Sequence, residues 1–119
     1  MRLDEFYFYP GRITYNEFHI DFSIDYDKQL NHLNEDLFQV CFPQGYLLDL
    51  GWYPEHQENG CFIIQVIFRS AWDTPIFKAE AIDEEEMVEK VNEAIALIRS
   101  YLWNITQWND PFVTDSGQE

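Results

Sequence analysis

The chain has 119 residues, a length typical of one domain, and 46% of them are hydrophobic, including 10 Phe, 7 Tyr and 4 Trp. This apolar content is sufficient for a folded core and excludes a disordered chain. The 22 acidic and 7 basic residues give a net charge of −15, which disfavours binding to nucleic acid or to anionic membranes and favours cationic partners.

The N-terminal third predicts two strands. Residues 3–9 are rich in aromatic side chains, and Pro10-Gly11 supplies a turn after them. In residues 17–26, apolar and polar side chains alternate at every position, as they do on a strand with one buried and one solvated face. A solvated face favours an antiparallel sheet. Residues 28–38 predict a short helix or an irregular connection, because roughly helical leucine spacing is interrupted by asparagines.

The middle of the chain predicts three further strands. Side chains alternate in polarity over residues 46–52, and residues 61–69 are apolar on both faces, which is typical of an inner strand. Residues 72–75 form a turn, and residues 76–82 provide the last strand.

The C-terminal region predicts an amphipathic helix over about residues 84–103. Asp83 is placed to cap it, and Glu86 completes a capping-box pattern. One face is apolar and comprises Met87, Val91, Ala94, Ile95, Ile98 and Leu102. Trp108 is a further candidate for docking on the domain, and residues from about 109 to 119 are expected to form a partly flexible tail.

These elements predict a single domain over residues 1–119 with an α+β fold. Its sheet is an antiparallel β-meander of about five strands, and the long C-terminal helix packs on one face of that sheet.

One loop gathers residues that could bind a metal ion. Glu55, His56 and Glu58 precede Cys61 within a few positions. Zinc needs about four converging ligands, and alternate side chains of a short loop diverge. A solvated hairpin loop with an Asn-Gly turn is therefore the favoured interpretation, and no cofactor is predicted. A small metal-assisted enzyme that uses residues 55–61 is the alternative.

Other chemical motifs do not occur in the sequence. It contains no G-x-S-x-G, no phosphate-binding glycine loop and no C-x-x-C pair. The first nine residues lack the pattern of a signal peptide, and no segment has the apolar length of a membrane helix. Cys41 and Cys61 are therefore expected to be free thiols in a cytoplasmic protein, although a bridge between them stays open.

The acidity is spread evenly along the sequence. Residues 1–60 contain 11 acidic and 3 basic residues, and residues 61–119 contain 11 and 4. The predicted strand over 17–26 would place Glu17, Asp21 and Asp25 on its solvated face, about 13 Å apart from one to the next. This stripe suits docking of a basic protein, with simple solubility as the alternative.

Aromatic residues at strand ends and turns add candidate anchors for a partner, although closing the end of the core is the favoured interpretation for each one singly. The candidate partner-binding residues are Glu17, Asp21, Asp25, Trp52, Tyr53, Glu55, Glu58, Trp72 and Asp73.

The chain resembles bacterial toxin-immunity proteins, including those of contact-dependent growth inhibition. The similarity lies in the sequences at 48–55 (LDLGWYPE), 60–67 (GCFIIQVI) and 72–75 (WDTP), followed by a capped helix in a small acidic chain. It implies a non-catalytic protein that covers the active or substrate-binding surface of a basic toxin, for example a nuclease domain, and it transfers no site residue. A homodimeric scaffold is the remaining alternative.

Overall fold

The fold is a five-stranded antiparallel sheet followed by one long helix. The computed structural model describes residues 3–106, except for the side chains of residue 4 and of residues 103–106. The elements are β1 (Arg12–Asn16), β2 (Phe38–Cys41), β3 (Tyr46–Tyr53), β4 (Cys61–Phe68), β5 (Phe77–Ala81) and α1 (Glu84–Thr106). Strand order in the sheet follows chain order, so the sheet is a meander. The predicted α+β class is confirmed, and Trp108 and the predicted tail lie outside the described residues.

The two strands predicted nearest the N-terminus are wrong. Residues 3–9 contain a short 3-10 helix, Leu3–Glu5, followed by irregular backbone, and residues 17–26 contain no strand. The first two strands of the sheet are instead β1 and β2. The alternation in 17–26 has another cause: its aromatic side chains pack onto the core from an irregular segment, while polar groups such as Asp21 hydrogen-bond nearby backbone. The predicted stripe of acids on a strand therefore does not exist.

The remaining elements follow the sequence prediction closely. Strands β3, β4 and β5 lie where the patterns indicate, and β4 is an inner strand with both faces largely buried. Residues 28–38 contain a 3-10 turn, Leu30–His32, and then irregular backbone as far as β2. The interpretation of this segment as a short helix or an irregular connection is thereby confirmed.

Helix α1 covers one face of the sheet. Its apolar face is buried at all six predicted positions: Met87, Val91, Ala94, Ile95, Ile98 and Leu102. They join a core with alternate residues of β3 and β4, such as Leu50 and its cross-strand neighbour Ile64. The predicted N-cap is also present, since the Glu86 N–H donates to Asp83 Oδ1 at 2.8 Å. The Glu86 carboxylate accepts the N–H of Ile82, one residue before the cap, at 3.0 Å.

The opposite face of the sheet carries a polar row across all five strands. Its members are aligned by the strand register: Tyr15, Gln39, Asp49, Gln65 and Lys78. Asp49, on the central strand, is only 2% exposed, and Gln39 Nε2 donates to its Oδ1 at 2.8 Å. Burial is the main cause of the raised pKa of this carboxyl.

The same register separates the two cysteines. Cys41 lies opposite Leu47, and Cys61 lies opposite Tyr53, six residues further along β3. That offset is about 20 Å at ~3.3 Å per residue, whereas a disulfide needs Cα atoms within about 7 Å. Both are free thiols, as expected. Within residues 3–106, no helix is both long and apolar enough to cross a membrane.

Candidate functional site

Carboxylates are concentrated at one end of the sheet, where β3 ends and β4 begins. Three segments meet there, residues 17–36, 54–60 and 82–86, and we call them together the acidic end. They hold one basic residue, Lys28, all three histidines of the chain and twelve of its 22 acidic residues. These acidic residues are Glu17, Asp21, Asp25, Asp27, Glu35, Asp36, Glu55, Glu58, Asp83, Glu84, Glu85 and Glu86.

The rest of the described chain is close to neutral. Outside the acidic end, residues 3–106 contain seven acidic and five basic residues. The formal charge is therefore −11 at the acidic end and −2 over the rest of these residues. The acidic residues are thus spread evenly along the sequence, but the fold gathers more than half of them at one end of the sheet.

Aromatic packing fixes the first segment to the end of the sheet. The ring of Tyr26 meets that of Trp52 edge-on at 4.7 Å between centroids. Phe18 and Phe22 both lie about 6 Å from Phe62, the residue opposite Trp52 on β4. These contacts explain why aromatic residues occur at every fourth position, Phe18, Phe22 and Tyr26, of a segment that is not a strand.

Hydrogen bonds join the other two segments to the first. The Tyr26 hydroxyl donates to the carbonyl of Ile82, at the start of α1, at 2.7 Å. In the 54–60 loop, the N–H of His56 donates to the carbonyl of Leu33 at 2.7 Å. All three segments are thus tied together by direct contacts.

A buried glutamine organises the part of the acidic end around Asp21. Gln29 is 5% exposed; its Oε1 accepts the Asp21 N–H at 2.8 Å, and its Nε2 donates to the carbonyls of Asp21 and Ile24 at 2.8 and 2.9 Å. Sequence reasoning missed this role, because an isolated glutamine in a polar stretch carries no local signal.

The Asp21 side chain is itself held in one position. Its Oδ1 accepts the Ser23 hydroxyl at 2.6 Å and the Ser23 N–H at 2.9 Å. These hydrogen bonds, first the one from the hydroxyl, lower the pKa of Asp21. The carboxylate is therefore ionised and oriented at neutral pH. It lies in a groove lined by Ile20, Asp21, Phe22, Ser23 and Glu84.

The 54–60 segment is the predicted hairpin loop. Trp52 Nε1–H donates to the carbonyl of Gln57 at 2.7 Å, which anchors the loop to the end of β3. Position 60 needs a glycine because the backbone of Tyr53 approaches it closely: a Cβ there would lie 2.5 Å from the Tyr53 carbonyl oxygen. The side chains of Glu55 and Glu58 are exposed on the loop.

The nine predicted partner-binding residues do not form one surface. Glu17, Asp21, Asp25, Glu55 and Glu58 belong to the acidic end. Tyr53, half-buried at its border, has a pKa raised by burial and then by nearby carboxylates, Asp49 first.

The other three candidates, Trp52, Trp72 and Asp73, do not contribute to this surface. Trp52 is fully buried, so its candidate role as a partner-binding residue is wrong, and the favoured interpretation that it closes the end of the core is confirmed. Trp72 and Asp73 follow the end of β4 at Phe68, which pairs with Tyr46. Tyr46 is seven residues along β3 from Tyr53, so Phe68 lies about 23 Å from the acidic end.

Seven acidic residues that were not among the predicted partner-binding residues complete this surface: Asp27, Glu35, Asp36, Asp83, Glu84, Glu85 and Glu86. Their charge was visible in the sequence, but no local pattern indicated that the three segments meet.

The histidines at the acidic end make local contacts. His56 Nε2 lies 2.9 Å from Asn34 Oδ1, and His19 Nε2 lies 3.2 Å from Glu17 Oε1. In the part of the chain that the structure describes, no group of three His, Cys, Asp or Glu side chains is placed to hold a metal ion. The alternative of a metal-assisted enzyme therefore has no ligand set among those residues.

No protein-family model matches the chain, and no curated protein or solved structure is significantly similar to it.

Proposed function

We propose that the chain is a non-catalytic binding protein whose acidic end covers a basic surface of another protein. The observation that carries this proposal is the separation of charge, with −11 at one end of the sheet and −2 over the rest of residues 3–106. A chain that needed charge only for solubility would gain as much from carboxylates scattered over its whole surface.

The physical mechanism is electrostatic steering followed by close contact. A charge concentrated at one end both attracts a cationic partner and turns that end towards it, and such steering raises association rates by about 10- to 1,000-fold. The segments are fixed to the core through Trp52, Phe62 and Gln29, so little conformational entropy is lost when the surface is covered.

The partner class that fits best is a basic toxin, for example a nuclease domain. A nuclease must attract phosphates, so its substrate-binding surface is cationic and complementary to the acidic end. The proposed role is therefore that of an immunity protein, in agreement with the resemblance noted from the sequence. Inhibition would follow from occupation of the substrate surface and would need no catalytic group from this chain.

Protection from a toxin tests this function. The reading frames adjacent to the gene are examined for a basic toxin domain, which is then expressed with and without this chain while growth and nuclease activity are measured. The wild-type chain is expected to restore growth and to inhibit the purified toxin at an equimolar ratio.

A matched pair of variants makes the test specific. The acidic-end variant carries Asp25→Lys, Asp27→Lys, Glu58→Lys and Glu85→Lys, and the control carries Glu5→Lys, Asp73→Lys, Glu89→Lys and Glu93→Lys. All eight positions are exposed, and both variants change the net charge equally. Protection is expected to be lost only with the first variant, and equal protection by both would contradict the proposal.

A further inference from the structure

The outer edge of β1 is open to pairing with another strand. Within the described residues β1 pairs with β2 alone, and all five of its residues are exposed. An edge strand presents backbone N–H and C=O groups on its outer side, and proteins commonly protect such edges with charged side chains. The other edge strand, β5, has this protection, because Lys78 and Glu80 are exposed on it. In β1 the only charged residue is Arg12, at the first position.

Exposed apolar side chains accumulate beside this edge. Of the ten large hydrophobic side chains that are exposed in the described chain, four lie within residues 7–15: Tyr7 at 73%, Tyr9 at 55%, and Ile13 and Tyr15 at 40% each. The rings of Tyr7 and Tyr9 stack at 6.2 Å between centroids, and Arg99 donates to both of their carbonyls, which fixes this segment next to β1. Exposed apolar groups that lie together are typical of a surface that another molecule covers.

The charges along the β1 edge are complementary to those of a second copy. Arg12 begins the strand, and Glu17 directly follows its last residue. If two β1 strands run antiparallel, Arg12 of each copy lies beside Glu17 of the other, which gives two symmetric contacts between opposite charges. The two acidic ends, which begin at Glu17, then lie at opposite ends of the doubled sheet, so their negative charges are kept apart.

We propose that two copies of the chain pair antiparallel along β1 and form one continuous sheet, with five strands from each copy. Thr14 is an extra residue between Ile13 and Tyr15 in the register with β2, and this bulge, together with the shortness of β1, limits the number of bonds to the second copy. The dimer is therefore weak, with a dissociation constant on the order of 10–100 µM, as for a small interface. It leaves both acidic ends accessible, so the inference does not depend on the proposed function.

Sedimentation of the full chain and hydrogen exchange test this pairing together. Sedimentation from about 5 µM to about 500 µM is expected to show a monomer–dimer equilibrium. Amide exchange in β1 is expected to slow at the higher concentration, while exchange in β5 stays the same. A chain that remains monomeric throughout, or slower exchange at β5 and not at β1, would overturn the proposal.

Two substitutions with the same charge change localise the interface. Ile13→Lys places a charge on the β1 edge, and Ile76→Lys places one just before β5, at a position of nearly equal exposure, 38% against 40%. Ile13→Lys is expected to weaken the dimer at least about tenfold, and Ile76→Lys to leave its dissociation constant within about twofold of the wild type. Equal dissociation constants for the two variants would place the interface elsewhere and reject the proposal.

An exchange of charges tests the antiparallel orientation. Arg12→Glu alone and Glu17→Arg alone each put like charges side by side and are expected to weaken the dimer about threefold or more. The variant with both substitutions restores opposite charges and is expected to return to within about twofold of the wild type. A fold defect would not be repaired in this way, so a double variant as weak as the single ones would contradict the proposed pairing.

Failure of this inference and failure of the proposed function are distinguishable. Dimerisation is measured without any toxin, and Ile13→Lys leaves the acidic end intact, so this variant is expected to protect from a toxin as the wild type does. Protection by a chain that never dimerises removes only the β1 pairing. Dimerisation through β1 without protection removes only the proposed function.

Discussion

Replacing Asp49 with asparagine is expected to stabilise the protein at neutral pH. Asp49 is 2% exposed on the central strand, and Gln39 provides its observed side-chain hydrogen bond. Burial is the largest cause of its raised pKa, and the nearby charge of Asp36 adds to it. Asparagine has nearly the same shape, keeps an oxygen for Gln39 and has no charge to desolvate.

The direction of the pH dependence follows from this raised pKa. A carboxyl whose pKa is higher in the folded state binds more protons when folded, so stability falls as pH rises from its unfolded pKa, about 3.9, through its folded pKa. The wild type should therefore become less stable as pH rises from the unfolded pKa of Asp49 through its folded pKa. The asparagine variant has no group that titrates at this position and should not show this loss. An incompletely compensated buried group costs about 1–3 kcal/mol, so we expect a gain of about 1–2 kcal/mol at pH 7.5.

Urea unfolding of both proteins from pH 3.5 to pH 8 measures this difference. The gain in unfolding free energy is expected to be smallest at pH 3.5 and to grow with pH. Glu80→Gln is the control, because Glu80 lies exposed on the edge strand β5, and its substitution should change stability by less than about 0.5 kcal/mol. A constant difference across pH, or an asparagine variant that is less stable at pH 7.5, would refute the reasoning.

Three further substitutions test how the acidic end is held. Gly51→Ala should destabilise the fold by about 3 kcal/mol or more in urea unfolding, because the new Cβ would lie 1.9 Å from the carbonyl oxygen of Glu35; an unchanged midpoint would contradict this close approach. Gln29→Leu removes partners from three backbone groups and should cost about 3 kcal/mol, with faster hydrogen exchange at the Asp21 amide; unaltered exchange there would show that the glutamine does not organise the segment. Asp83→Ala should cost about 1 kcal/mol by removal of the helix cap, while Asp83→Asn should cost much less; equal losses in thermal unfolding would argue against the capping bond.

Local patterns were sufficient to predict most of the regular structure. The apolar face of α1 repeats over about four turns, β3 alternates over eight residues, and β4 is a continuous apolar run of eight residues, so each has a clear signal. The two strands that the sequence did not reveal lack this signal. β1 is an edge strand with all five residues exposed, and β2 has four residues. Neither provides an alternation long enough to recognise.

The acidic end could be predicted only in part. Glu55 and Glu58 stand out locally because they lie between two clear strands. The charge on residues 83–86 was visible at a helix N-terminus, yet the hydrogen bond that ties this region to the first segment joins Tyr26 to Ile82, 56 residues apart in the sequence. Charges from distant segments become one surface only through the aromatic packing on Trp52 and Phe62, and such tertiary contacts have no single-sequence signature.

The association rate with a basic toxin domain tests the central claim most directly. Stopped-flow measurements would compare the wild type, the acidic-end variant and the charge-matched control from 20 mM to 500 mM salt. We expect the acidic-end variant to associate at least tenfold more slowly at 20 mM salt, the control to remain within about twofold of the wild type, and the differences to shrink as salt rises. Equal slowing of the two variants would show that only total charge matters and would contradict a binding role for the acidic end.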